Sequence, residues 1–223
     1  MALAIFDLDN TLLAGDSDHA FGDFLITQNL VDPILHREQN DGFYQQYKNG
    51  GLDMVAYTEF AVSPLKGMAR AQREALHALF MQNFIEEMML PASKALIAEH
   101  KSKGDYCLIM TATNRFVTEP IAHYLGVDGL IATELEMIDD LYTGKLSGAP
   151  NFQDGKVRHL ELWLKTRNVT GQTPLDLKGS TFYSDSFNDL PLLEYIETAI
   201  AVDPDDTLRK IAQERQWKIM SLR

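Results

Sequence analysis

Asp7 and Asp9 stand two residues apart, where the apolar run Ala4-Ile5-Phe6 gives way to the polar pair Asn10-Thr11. The run reads as a short buried strand whose carboxyl end delivers both carboxylates into a cleft, because ligands gather at strand ends in open α/β sheets. An Asp-x-Asp turn that merely closes a loop would show the same residues. Three further polar clusters share this placement. Thr111-Ala112-Thr113-Asn114 follows the apolar stretch 106–110. A hydroxyl and small residues at such a point can hold an anion through a side chain and backbone N–H groups, or simply cap the next helix. Lys156 opens a predicted helix at 155–167, an end that disfavours cations; an ordinary surface lysine would look no different. Asp185 and Asp189, with Asn188 between them, follow the short apolar strand 180–183. A polar turn into a short helix is the plain alternative there.

Together these residues suit phosphate chemistry. Asp7, Asp9, Asp185 and Asp189 are hard oxygen donors of the kind Mg²⁺ prefers, and crowded together without a cation they would repel one another. Thr111 and Lys156 add a hydroxyl and a positive charge. An aspartate can attack phosphorus to form an aspartyl-phosphate. A metal neutralises the developing charge, and a lysine and backbone amides share the phosphate oxygens.

The elements that must position these groups follow from hydrophobic periodicity. Residues 2–7 read as the first strand. From 16 to 89 apolar residues recur at helical spacing, with breaks at Asp32-Pro33, Asn49-Gly50-Gly51 and Ser63-Pro64. This predicts four or so helices and no strand. Beyond Leu90-Pro91 strands and helices alternate: helix 92–103, strand 106–110, helix 115–125, paired strands 130–137 and 141–146, helix 155–167, strands 180–183 and 199–202, helix 205–216 and an edge strand at 218–220. Such alternation implies βαβ units and a mostly parallel sheet. The expected organisation is an α/β core of residues 1–15 and 90–223, interrupted by an all-α module of residues 16–89.

A chain of 223 residues with 45% hydrophobic residues can bury a sizeable core. Its net charge of −12 argues against nucleic acid and against an anionic membrane as partners. The single cysteine, Cys107, lies in an apolar run and reads as a buried, inert thiol. No signal peptide and no transmembrane span are visible, so a cytoplasmic protein is expected. The six histidines show no metal-ligand spacing. Met81, Met88 and Met89 read as core filler, and Trp163 and Trp217 as packing anchors within helices.

The order Asp-x-Asp-x-Thr, then Thr, then Lys, then Asp-x-x-x-Asp resembles the haloacid dehalogenase (HAD) superfamily over about residues 4–205. The helical block resembles the C1-type cap of its phosphoserine-phosphatase-like branch, subfamily IB. The resemblance implies a Rossmann-like α/β core flanked by helices and a Mg²⁺-dependent phosphatase. It implies Asp7 as nucleophile and Asp9 as general acid/base, the backbone carbonyl of Asp9 also serving Mg²⁺. It further implies Thr111 and Ala112 as phosphate binders, Lys156 as the phosphate-neutralising lysine, Asp185 as metal ligand, and Asp189 as ligand or anchor. Ser184 replaces the usual glycine before Asp185. Asp16 stands where phosphoserine phosphatases carry a substrate-binding glutamate, and Thr111-Ala112-Thr113 replaces Ser-Gly-Gly.

The expected substrate is a small phosphorylated metabolite, with an amine-bearing compound such as phosphoserine or histidinol phosphate suggested by the acidic loop. Asp16, Asp18, Arg70 and Arg115 are the candidate readers of the leaving group. A phosphotransferase or mutase would use the same residues. A phospho-aspartate switch and a silent metal-binding module are alternatives of another class.

Overall fold

The computed structural model describes residues 1–170, 175 and 177–223. Its first strand, β1 (Leu3–Phe6), is buried along its whole length. Ala4 and Phe6 enter one apolar cluster, Leu3 and Ile5 another. Side chains alternate across a strand, so both faces of β1 are covered, as parallel sheets require.

β1 pairs in parallel with β2 (Tyr106–Asn114) on one side and β6 (Thr181–Ser184) on the other. β3 (Gly129–Thr133) extends the sheet beyond β2, and β7 (Thr198–Val202) and β8 (Lys218–Met220) extend it beyond β6, giving the order β3-β2-β1-β6-β7-β8. The chain therefore builds outward from β1 in one direction and then returns to build in the other. The crevice at the carboxyl ends of β1 and β6 is where the strand order reverses, the place such sheets offer to ligands. One face of the sheet packs against α1 (Ser17–Thr27), α4 (Arg70–Phe80), α6 (Pro91–Ser102) and α7 (Arg115–Leu125) through Phe24, Phe80, Ile97 and Ile121. The other packs against α8 (Asp154–Val169), α9 (Leu190–Tyr195) and α10 (Asp206–Glu214) through Leu160, Leu192 and Leu208.

Between β1 and α6 the chain forms α1, α2 (Pro33–Lys48), α3 (Met54–Val62), α4, a π-helical turn (Met81–Ile85) and the short α5 (Glu86–Met88). Asp16, Asp32 and Asp53 each accept two backbone N–H bonds at the start of α1, α2 and α3, satisfying donors that a helix cannot satisfy itself. The chain leaves and re-enters the sheet region at one point, where Leu13 bridges to Met89 and Ala14 N–H donates to Met88 O at 2.8 Å.

Two readings of the chain need correction. The apolar stretch 130–137 is not one strand. Its first part is β3, in the main sheet, and its second part, β4 (Leu135–Ile138), pairs in antiparallel fashion with β5 (Leu141–Leu146). The turn carries Asp139 and Asp140 at positive φ, the conformation a tight hairpin favours. Trp217, expected within a helix, lies in none. Helix α10 ends at Glu214, and Gln216, at φ 56°, turns the chain towards β8. Cys107 is buried, and burial lifts its thiol to about 11.

Candidate active site

Asp7 follows β1 directly, and its N–H continues the ladder by donating to Tyr183 O at 2.9 Å. The residue is nearly inaccessible, at 3% exposure, and Oδ1 accepts a hydrogen bond from Lys156 Nζ at 2.8 Å. The same ammonium lies 2.6 Å from Asp189 Oδ1 and 2.8 Å from Oδ2. Ser184 Oγ donates to Asp189 Oδ2 at 2.7 Å. Lys156 thus reaches the carboxyl ends of β1 and β6 from the first turn of α8. Gln153, just before that helix, has a positive φ of 48°, an uncommon backbone for a residue with a Cβ.

The charges do not balance. Burial lifts the Asp7 carboxyl to about 8 even though Lys156 opposes the shift. Burial also opposes the charge on Lys156, but Asp189 and Asp7 outweigh it and hold the ammonium above its usual range. Asp185, at the end of β6, is pushed well above the carboxylate range by burial and then by Asp7. Two carboxylates therefore share one ammonium, and a third, Asp185, adds its charge beside Asp7. Thr11 ties the first loop to this cluster: its hydroxyl donates to Asp185 Oδ1 and accepts from Asp185 N–H, both at 2.9 Å.

Asp9 is gripped from two directions. The backbone N–H of Ser17 reaches Oδ1 at 2.6 Å, and the Thr113 hydroxyl reaches Oδ2 at 2.8 Å. Thr111 Oγ1 is 3.4 Å from the same Oδ2. Between Asp9 and α1 the loop turns through Asn10, at φ 56°, a conformation asparagine tolerates better than most residues.

Asp7, Asp9, Thr111 and Ala112 form the floor of a chamber whose walls come from the helical insertion. The non-protein space inside it, open mouth included, is about 500 Å³. Asp16 and Asp18 line it from α1, Asn40, Tyr44 and Tyr47 from α2, and Tyr57 from α3. Burial lifts the Asp16 carboxyl to about 7, with Asp9 adding to the shift. The insertion also touches the β6 end of the site. Asn188 donates to Tyr47 O at 3.0 Å, and Gln153 Nε2 bridges Gly50 O and Asn188 Oδ1. Gly50 is at φ +72°, and a Cβ there would come within 2.8 Å of the Phe187 ring.

Two expected readers are placed elsewhere. Arg115 holds Glu134 at 2.6 Å and Glu119 at 3.3 Å, and Arg70 holds Asp140 at 3.0 Å. Both line a separate groove between α4, α7 and the β4–β5 hairpin. Their guanidiniums are satisfied by carboxylates: Glu119 lies one turn along α7 from Arg115, while Glu134 and Asp140 are distant from their partners in the chain.

Other residues shape the site without having been singled out. Asn151, fully buried, donates to Thr111 O at 2.9 Å and Ile131 O at 3.1 Å. Its N–H donates to Thr133 Oγ1, whose hydroxyl donates to Ala112 O. This network fixes the backbone of the floor. Thr113 adjoins the Thr111-Ala112 pair and could have been found there. Asn151 shows only as one polar residue after Gly148-Ala149-Pro150.

The donor set suits Mg²⁺. Among the described residues no three His, Cys, Asp or Glu side chains gather to hold a metal, but Mg²⁺ binds through one or two carboxylates and keeps several waters. Asp7 is close enough to Asp185 to raise the cost of its charge, and a cation between them would remove that cost.

A profile of the haloacid dehalogenase-like hydrolases matches residues 4–194. The chain belongs to this family. Among its relatives, a histidinol-phosphatase of Neisseria meningitidis serogroup C is 40% identical over 223 residues, 99% of each chain. The phosphoserine phosphatase SerB1 of Mycobacterium tuberculosis is 31% identical, over the whole of this chain and 71% of its own. A crystal structure of a protein of unknown function from Bordetella pertussis Tohama I superposes with a TM-score of 0.90 at 40% identity, over 100% of this chain and 99% of the other. The haloacid dehalogenase-like fold expected from the motif order is thus established, with its parallel sheet and flanking helices.

Proposed function

We propose that the protein is a Mg²⁺-dependent phosphomonoesterase acting through an aspartyl-phosphate on Asp7. The observation that carries this reading is the buried Lys156 bridge between Asp7 and Asp189, set beside Asp9 at the floor of the chamber. Lys156 holds Oδ1 of Asp7, leaving Oδ2 as the attacking oxygen. Oδ2 forms a bond to phosphorus as the bond to the leaving oxygen breaks, and protonated Asp9 gives its proton to that oxygen. Asp9, now a carboxylate, takes a proton from water. The hydroxide formed attacks phosphorus and breaks the bond to Asp7, releasing inorganic phosphate. The Thr111 hydroxyl, the Ala112 N–H and Lys156 hold the phosphoryl oxygens, and Asp189 positions Lys156. Mg²⁺, held by Asp7, the Asp9 carbonyl and Asp185, would stabilise charge on those oxygens when bound.

Residues 16–89 act in this reading as a cap over the core of 1–15 and 90–223, excluding bulk water and contacting the leaving group. The named activities of the two relatives, with the carboxylates of Asp16 and Asp18 in the chamber, favour a small amine-bearing phosphate ester. A cytoplasmic location, where such metabolites occur, belongs to the same proposal. The test is phosphate release from an aryl phosphate as Mg²⁺ is titrated. Asp7→Asn is expected to abolish it, and undiminished release by that variant would overturn the mechanism.

A further inference from the structure

Resting on the phosphomonoesterase reading of this site, we infer that the chamber selects phosphate esters of amino alcohols over those of amino acids. It receives an ammonium at Asp18 and presents no arginine or lysine to a carboxylate among its lining residues.

The two acidic residues at the start of α1 are not equivalent. Asp16 Oδ1 is occupied by the backbone N–H groups of Asp18 and His19, at 3.0 and 2.8 Å, so this carboxylate caps the helix. Asp18 is held by a side chain instead. Asn114 Nδ2 donates to its Oδ1 at 3.3 Å, and Tyr57 stands beside it on the chamber wall. Asn114 is itself fixed, accepting from Val117 N–H at 3.2 Å. Asp18 is therefore an oriented carboxylate on the chamber wall. Burial, with Asp16 and Asp9 nearby, holds its carboxyl well above the usual range, a cost that a bound ammonium would relieve.

The rest of the lining agrees. Phe43, Tyr44, Tyr47 and Tyr57 surround the space with aromatic rings, and ring faces attract cations. Among the described residues the lining holds Asp7, Asp9, Asp16 and Asp18 but no arginine or lysine. His19 lines it too, with Nε2 2.8 Å from Asp41 and Nδ1 4.0 Å from Asp23. A substrate carboxylate would meet like charge and no arginine or lysine of the lining, and rejection of that kind is how a site achieves specificity.

Three phosphate esters on one carbon frame test this: O-phosphoethanolamine, O-phosphoserine, which adds a carboxylate, and ethyl phosphate, which lacks the amine. With Mg²⁺, kcat/KM for O-phosphoethanolamine is expected to exceed each of the others by at least about tenfold. Asp18→Asn is expected to erase the advantage over ethyl phosphate. Leu52→Arg, which places a cation on the lining, is expected to raise O-phosphoserine relative to O-phosphoethanolamine. Equal or better turnover of O-phosphoserine by the wild type, or an amine preference that survives Asp18→Asn, overturns the inference. Calorimetry with 2-aminoethylphosphonate and 2-amino-3-phosphonopropionate reads the selection without turnover. If no ester released phosphate while the first phosphonate still bound at least about tenfold more tightly, the hydrolytic reading would fall and the selectivity would stand.

Discussion

Thr113 donates its hydroxyl hydrogen to Asp9 Oδ2 at 2.8 Å. With Ser17 N–H on the other oxygen, this carboxylate is held at once by the end of β2 and by the first turn of α1. A proton donor must be aligned with the leaving oxygen, and a hydrogen bond to a charged group contributes about 1.5–3 kcal/mol.

Thr113→Val is expected to lower kcat for an alkyl phosphate by about 10- to 100-fold, with little change in KM and with recovery in Thr113→Ser. The deficit should shrink for an aryl phosphate, whose leaving oxygen needs less protonation. Steady-state kinetics on the two substrate types separate this role from a general loss of folding, which would lower both equally.

Lys156→Met leaves Asp7 and Asp189 buried without their shared counter-charge. The variant is expected to be less stable by about 3–5 kcal/mol, the usual consequence of stranding a buried charge. Urea unfolding measures this, and Lys156→Met combined with Asp189→Leu should recover part of the loss.

Asp16 gives a pH dependence with a definite sign. Its carboxyl rises from 3.8 to about 7 in the fold, so the stability it contributes is present below the unfolded value and is lost as pH rises towards 7. Asp16→Asn keeps a residue that caps helices well and cannot ionise. The variant should therefore gain stability relative to the wild type between about pH 4 and 7, by up to a few kcal/mol. Unfolding curves at the two ends of that range test it, and a difference that does not vary with pH would refute it.

Mg²⁺ is expected to raise the Tm in a concentration-dependent way, because a ligand that binds only the folded state stabilises it. Asp185→Asn should weaken that response and, by removing a repelling charge, raise the Tm in metal-free buffer. A thermal scan with and without chelator shows both effects.

Much of this was legible in the chain because residue type and strand placement coincided. Asp7, Asp9, Asp185 and Asp189 follow the ends of β1 and β6, Thr111 lies in the second half of β2 and Lys156 in the first turn of α8, and the parallel sheet brings those points to one edge. The placement of Arg115 outside the chamber is not legible in the chain, because Glu134, 19 positions away, reaches it only after β3 has folded beside β2. The split of 130–137 was hidden for a related reason. Apolar residues continue across Glu134, and hydrophobic periodicity does not record which strand each segment will pair with. Asn151 is hard to find in the chain because its value lies in two backbone carbonyls and one hydroxyl contributed by β2 and β3.

Helix α2 buries only His36 and Asn40, while its aromatic residues Phe43, Tyr44 and Tyr47 face the chamber. The chamber wall supplied by α2 thus adds little to the apolar core that α1 and α4 anchor through Phe24 and Phe80. Folding and substrate choice are written in largely separate residues. Successive substitutions along α2 could retune what the enzyme accepts while the sheet and the catalytic floor stay as they are, an open route for divergence among descendants of one ancestral hydrolase.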